Sequence, residues 1–484
     1  MVFSSNLFLF FFLPLVLAAY FLCPSRWRPH LLTLCGLFFY GWSNPLFITL
    51  MLLTTSVDYA AGLLMAGGRG RADAGSISLP ILDVGGPRSR RQKSALALSL
   101  GCNLALLGFF KYFNFGVEAL RQLATSLGLG ALIQGPVLEV ALPLGISFYT
   151  FQSMSYTVDV YRGHVAALRS FPLFISFVTM FPQLVAGPII RFRDVHDQIL
   201  NRSHTLEKFT RGLAFFIIGL GKKVVLGNPC GRIADTCFGA DSLNALEAWS
   251  GMLAYAMQIY FDFSGYSDMA VGLGLMIGFV LPRNFDSPYR SQGVTDFWRR
   301  WHITLSTWLR DYLYVTLGGN RLGTKRTYLN LFLVMLLGGL WHGASWNFII
   351  WGGAHGLWLA AERFLKPRLS WRPSALTGTL LTFLGVSLLW VPFRAHSLAD
   401  TMNYLGFLLG SGGSGAPLVW SSISSPYLLG SLLLAVLIAF AGRSSWELTR
   451  QLKAGRALML LALLALSLSL LASQSYNPFI YFNF

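Results

Sequence analysis

The chain has 484 residues, 54% of them hydrophobic and only 12% charged, with a mean hydropathy of +0.56. So few charges cannot coat a soluble globule of this length, whereas 14 Trp, 39 Phe and 49 Gly suit a polytopic membrane protein. The composition also excludes a disordered chain, a coiled coil and a secreted disulfide scaffold.

The net charge of +17 would suggest nucleic acid in a soluble protein. In an apolar chain it reads as positive-inside loops meeting anionic lipid headgroups, with no nucleic-acid partner. Cys23, Cys35, Cys102, Cys230 and Cys237 form no CxxC pair. They read as free thiols in or beside apolar segments.

The first apolar segment runs from Leu7 to Cys23 without a basic residue before it, so it lacks a signal peptide's n-region. Arg26 and Arg28 follow directly and put the N-terminus outside. Two apolar stretches, about 30–40 and 46–65, flank the polar Ser43-Asn44-Pro45 turn. Arg69, Arg71, Arg88, Arg90, Arg91 and Lys93 then mark a second cytoplasmic loop. Further apolar stretches lie near 94–110, 137–160, 170–190, 209–227, 249–280, 328–341, 343–362, 375–393, 425–441 and 456–472. Several fall short of the ~20 residues that a span needs. Others carry Asp, Gln, Pro or Gly, which predicts broken or re-entrant helices buried in protein. The pattern between 110 and 230 gives no clear topology. Gly410–Gly415 reads as a flexible loop.

Residues 283–326 carry Arg283, Arg290, Arg299, Arg300, Arg310, Arg321, Lys325 and Arg326 against Asp286, Asp296 and Asp311, with Trp298, Trp301 and Trp308 interleaved. Two readings fit: an amphipathic interfacial helix with snorkelling arginines, or a basic vestibule for an anionic cytoplasmic ligand such as a coenzyme phosphate. His302 ends the Arg299-Arg300-Trp301-His302 run, near the cytoplasmic rim. His342 lies at membrane depth in Gly338-Gly339-Leu340-Trp341-His342-Gly343, and His355 follows in Gly352-Gly353-Ala354-His355-Gly356. A buried histidine is either a hydrogen-bonded structural group or a functional one; flanking glycines that admit a ligand keep both readings open.

Asp262 and Asp268 interrupt an apolar stretch and need partners, for which the arginines and histidines above are candidates. They read as ties between broken helices. Asp58 and Asp159 pose the same question. No HExxH or phosphate-binding loop occurs, and the Gly272/Gly274/Gly278 spacing fits helix packing, not dinucleotide binding. No metal site is expected.

Tyr260–Asp268, Asn284–Tyr289, the run Asp296–Tyr312 and Gly339-Leu340-Trp341-His342-Gly343 together resemble the membrane-bound O-acyltransferase (MBOAT) family. Met1–Asn6 and Leu184–Pro188 are similar to its alginate O-acetyltransferase branch. The resemblance covers nearly the whole chain and is weakest at 66–95 and 395–425. It implies an all-α polytopic integral membrane protein: a ring of tilted and broken helices around a central tunnel. One transmembrane domain over 1–484 would hold N-terminal helices (1–135), a catalytic core (about 136–365) and C-terminal helices (366–484).

The resemblance places the signature histidine at His342 and its companion at His302. By family analogy the acetyl donor is acetyl-CoA, with no tightly bound cofactor; in the vestibule reading Arg299, Arg300 and Arg310, with Trp301, would bind that donor. Asp262, Asp268 and His355 would form a structural polar core. The ending Phe479-Ile480-Tyr481-Phe482-Asn483-Phe484 is similar to the F-x-Y-x-x-F ending of polysaccharide-acetylating relatives. There Tyr481 would receive the acyl group and pass it on; a phenol of pKa ~10 leaves more readily than a sugar alcohol. The bland reading of the same residues is an aromatic interface anchor.

Expected partners are membrane lipids, a periplasmic serine-hydrolase-like (SGNH-type) acetyltransferase and a polysaccharide acceptor downstream, alginate first. The expected location is the bacterial inner membrane. Rival readings are acetylation of cellulose or another glycan, D-alanyl transfer to teichoic acid and, from another class, a proton-coupled transporter.

Overall fold

A computed structural model describes residues 1–67, 78–130, 138–368, 373–413, 417–474 and 476–480. Two of the basic residues assigned above to a cytoplasmic loop, Arg69 and Arg71, lie outside them, as do Ser414, Gly415 and Tyr481. The described chain is helical, its one β contact an isolated Ser78–Leu168 bridge. Among the described residues, four helices are long and apolar enough to cross a membrane: Leu46–Met65, Arg90–Ser126, Ala375–Arg394 and Ala454–Ser473. The protein is thus all-α and polytopic. It gathers into two compact units, Phe12–Arg202 with Met1, and Val2–Phe11 with Ser203–Phe484.

In the first unit the expected 94–110 span is one 37-residue helix, Arg90–Ser126. Its start is set by a capping box: Ser89 Oγ accepts from Gln92 N–H while Gln92 Oε1 accepts from Ser89 N–H. Arg90, Arg91 and Lys93, read above as loop residues, are therefore its first turn. Asp58 answers the question of its burial. It accepts from Ser99 Oγ (2.5 Å), Asn103 Nδ2 (2.8 Å) and Ser153 Oγ, tying Leu46–Met65 to Arg90–Ser126 and Ile146–Arg162. The 170–190 stretch is broken as expected, into Phe171–Val178 and Phe181–Leu184, each with a proline in its first turn.

The second unit is built on the 32-residue helix Ala245–Met276. It crosses Leu206–Gly221 in antiparallel fashion through two glycine pairs, Gly212 with Gly272 and Gly219 with Gly265. A Cβ on Gly272 would stand 2.5 Å from the Gly212 oxygen, and one on Gly265 2.7 Å from the Gly219 oxygen. Gly272 therefore serves helix packing, as its spacing suggested. The pair Thr324–His342 and Trp346–Leu365 repeats the device, with Gly339 against Gly352.

The basic 283–326 segment is no single interfacial helix. It folds as Val294–Arg300 and Ile303–Trp308, with a π-turn at Leu309–Tyr314. The break falls on His302, whose φ of 44° is left-handed. Phe297 and Trp301 point inward, packed with Tyr260, Phe285, Tyr289 and Trp390.

The last described residues, 476–480, dock into this unit together with the N-terminal segment. Phe3 stacks on Tyr266 at 4.3 Å between ring centroids, and Phe479 meets the same ring at 4.5 Å. Asn477 Nδ2 donates to the Ser4 carbonyl (2.9 Å).

Candidate active site

His342 is the last residue of Thr324–His342, placed there because Gly343 is extended and ends the helix. It is 6% exposed. Its ring lies against Trp341 (5.0 Å), Phe393 (5.2 Å) and Trp351 (5.3 Å), mostly edge to face. His302, at the break between Val294–Arg300 and Ile303–Trp308, reaches the same place, its ring 6.4 Å from that of His342. Two histidines forty positions apart in sequence are thus brought together, fully or nearly buried. A cavity of about 120 Å³ opens beside them, lined by His342, Trp298, Leu305, Ser306, Met335 and Trp351 among others. An imidazole is chemically able to take up and release a proton; of the two, His342 lines the cavity itself, among mostly apolar side chains.

His302 is held by Asn284, which the sequence reading quoted in a motif but did not select. Asn284 Oδ1 accepts from His302 Nδ1 (3.1 Å) and Thr304 Oγ1 (2.9 Å), while Asn284 Nδ2 donates to Ser267 Oγ (3.0 Å). Phe263 packs edge-on against the His302 ring at 4.7 Å.

His355 stands apart from this pair. Trp298 Nε1 donates to its Nδ1 (3.3 Å), and Phe297, Trp351 and Trp358 surround it.

The acids find lysines, not the arginines or histidines expected. Lys223 Nζ lies 2.7 Å from Asp262 Oδ1 with both side chains buried, and Lys222 Nζ lies 2.6 Å from Asp268 Oδ2. Both lysines open a π-helical stretch, Lys222–Gly227, that continues Leu206–Gly221. The signal was legible: two adjacent cations at the end of one apolar run, two anions six residues apart in another. The Asp262–Lys223 pair spends its remaining capacity on the tail. Asp262 Oδ2 accepts from Ile480 N–H (2.9 Å), and Lys223 Nζ donates to the Pro478 carbonyl. Upstream, Tyr476 donates to Asp235, which also meets Arg394 Nη2 at 2.8 Å. Burial above all, then Asp235, holds the Tyr476 phenol well above its ordinary pKa.

Helix geometry relates the tail to the histidines. Asp262 and Tyr266 face the tail, whereas Phe263 and Ser267, each one residue further on, face the Asn284–His302 corner. At about 100° per residue, tail and histidine pair occupy adjacent faces of one helix.

Of the basic residues, Arg299 and Arg310 are exposed and Arg300 is half-buried. Arg300 Nε pairs with Asp296 at 3.0 Å and Arg310 Nε with Asp311 at 2.8 Å. Trp301, 2% exposed, lies in the aromatic core behind them.

Residues 161–373 match the model of the membrane-bound O-acyltransferase family. The probable alginate O-acetylase of Pseudomonas putida is 43% identical over the full length of both chains. The peptidoglycan O-acetyltransferase of Helicobacter pylori is 36% identical over 85% of this chain and 80% of its own. The teichoic acid D-alanyltransferase of Streptococcus thermophilus is 31% identical over 45% of this chain and 55% of its own.

Proposed function

The chain belongs to the membrane-bound O-acyltransferase family, and from that premise we propose that it passes acetyl from a cytoplasmic thioester donor, acetyl-CoA, across the inner membrane for O-acetylation of alginate. The observation that carries this is the buried pairing of His302 with His342 beside a small cavity. In this reading His342 is the general base. It takes the proton of the attacking hydroxyl, whose oxygen forms the new ester bond as the thioester C–S bond breaks and the thiolate leaves. His302, on the cytoplasmic side, assists the proton transfer. Arg299, Arg300 and Arg310 hold the donor phosphates through charge-assisted hydrogen bonds, with Trp301 supporting them from the core.

Tyr481 supplies the hydroxyl that receives the acetyl group. Support comes from its neighbour: Ile480 is 3% exposed and its N–H is fixed by Asp262. The acyl group then goes to a periplasmic serine-hydrolase-like (SGNH-type) partner, which modifies the polymer. This route spares the bilayer a charged coenzyme, since each charge at its centre costs several kcal/mol. The N-terminus lies outside, and no tightly bound cofactor is needed.

Alginate ranks first because the Pseudomonas relative is matched over its full length. The Helicobacter relative favours another cell-surface glycan as the second reading, since it too is matched over most of both chains. D-alanyl transfer has support over no more than half of this chain.

The test is polymer acetate in cells carrying His342→Ala or Tyr481→Phe at equal expression. Both should lose it. Wild-type acetate with His342→Ala removes the mechanism; with Tyr481→Phe it removes the relay alone.

A further inference from the structure

Asn284 touches three consecutive residues across the His302 turn. Its main-chain carbonyl accepts from Ile303 N–H (2.9 Å). Its side-chain Oδ1 accepts from Thr304 N–H (3.3 Å), Thr304 Oγ1 (2.9 Å) and His302 Nδ1 (3.1 Å). A backbone N–H can only donate, so the amide atom facing Thr304 N is the oxygen. The amide nitrogen then faces Ser267 Oγ at 3.0 Å and donates to it.

Once the amide is oriented, the tautomer of His302 follows. A carbonyl oxygen has no proton to give, so the bond to His302 requires the hydrogen on Nδ1. In the neutral ring, which full burial favours, Nε2 is left as the bare nitrogen, without a hydrogen-bond partner among the described residues. The backbone adds a second observation. His302 has φ 44° and ψ 53°, a conformation that costs a non-glycine residue on the order of 1 kcal/mol and persists only where its surroundings impose it. Asn284 grips the residues on the far side of that turn through both its main chain and its side chain.

The geometry points to Asn284 as a positioning residue that fixes His302 as the Nδ1–H tautomer, with Nε2 as the atom that takes and returns the proton. This rests on the reading of His302 as a participant in acyl transfer. At rest the imidazole is neutral. The proton released by the attacking hydroxyl, passed on through His342, is taken up at Nε2 to give an imidazolium whose Nδ1–H stays on Asn284 Oδ1. The hydroxyl oxygen's electron pair closes the new ester bond, the thioester C–S bond breaks, and the departing thiolate takes the proton from Nε2. In the other tautomer a bare nitrogen would oppose the Asn284 oxygen, and Nε2 could accept nothing.

The groups facing the ring are Phe263, Phe285, Trp341 and His342, with Ser267 one bond removed behind Asn284. His342 is the titratable group among them. Asp262 and Asp268, on the helix that carries Phe263, are engaged by Lys223 and Lys222.

The experiment uses inverted membrane vesicles with radiolabelled acetyl-CoA as the probe, reading acetyl transfer against pH. Asn284→Ala is expected to lower kcat by about 100-fold with little change in KM. Asn284→Asp keeps acceptor oxygens at Nδ1 and adds a charge that favours the imidazolium. It should restore most of the rate and move the acid limb of the profile upward by about one to three pH units. The double variant Asn284→Ala/His302→Gln should be no slower than His302→Gln alone. A wild-type profile in both Asn284 variants, while His302→Gln is inactive, overturns the positioning role and leaves the reading of His302 intact. A wild-type rate in His302→Gln removes His302 from the reaction and this inference with it. Should Asn284→Ala fail to assemble, the profile of Asn284→Asp decides: an unmoved acid limb overturns the proposal.

Discussion

Lys223 Nζ and Asp262 Oδ1 stand 2.7 Å apart with 2% and 1% of their side chains exposed, and each also binds the main chain of the C-terminal tail. Two opposite charges share one buried place, and neither has water to fall back on.

Removing one partner should therefore hurt more than removing both. Lys223→Met or Asp262→Leu alone strands a buried charge and is expected to cost about 3–5 kcal/mol. The double variant should recover much of that stability yet still release the tail. Thermal unfolding in detergent measures the first effect and limited proteolysis near residue 476 the second. A double variant less stable than either single one would contradict this account.

The glycine crossings predict a sharp contrast. Gly265→Val places atoms where the Gly219 carbonyl stands and should prevent correct assembly of the second unit. Gly101, within Arg90–Ser126, has nothing within 4 Å of its would-be Cβ. Gly101→Ala should be neutral or stabilising by about 0.5–1 kcal/mol. Monodisperse yield on size exclusion, with unfolding temperature, separates the two.

His355 and His342 should part company in kinetics. His355 is enclosed by Trp298, Trp351 and Trp358 and bonded by Trp298. His355→Gln is expected to lower the unfolding temperature while keeping acetyl transfer within about tenfold of wild type, whereas His342→Ala should lose at least about 100-fold. Equal losses in kcat would merge the two roles.

The vestibule reading predicts a donor effect. Arg299 is exposed, so Arg299→Ala should raise KM for acetyl-CoA by about three- to tenfold with kcat unchanged, the defect shrinking at high salt. Arg300→Ala also breaks the Asp296 pair and should lose stability as well. Initial rates at two ionic strengths test both.

Much of this was legible because apolar length and small-residue spacing are local signals. Helix bounds from Leu46 to Met65 and from Ala375 to Arg394 fall close to where hydropathy puts them. The small-residue spacing at Gly272 pointed to helix packing, whereas the glycines around His342, read as admitting a ligand, also make a crossing through Gly339 and Gly352. What stayed hidden depends on contacts far apart in sequence. Ser4 and Asn477 meet across 473 positions, and no periodicity encodes that. Charge pairing was sought among the arginines of the 283–326 segment because they are many; the true partners of Asp262 and Asp268 are two lysines that a π-turn aims inward. Asn284 was missed because an asparagine carries no charge to explain, although its place in the motif was visible.

The docked tail bears on how anything crosses. Undocking it would strip the buried Asp262–Lys223 pair of its bonds to the tail main chain, so residues 478–480 are an anchored pier and not a swinging arm. In the proposed relay, a handover point fixed in this way would require the recipient to come to the membrane, since the pier would not reach out to it.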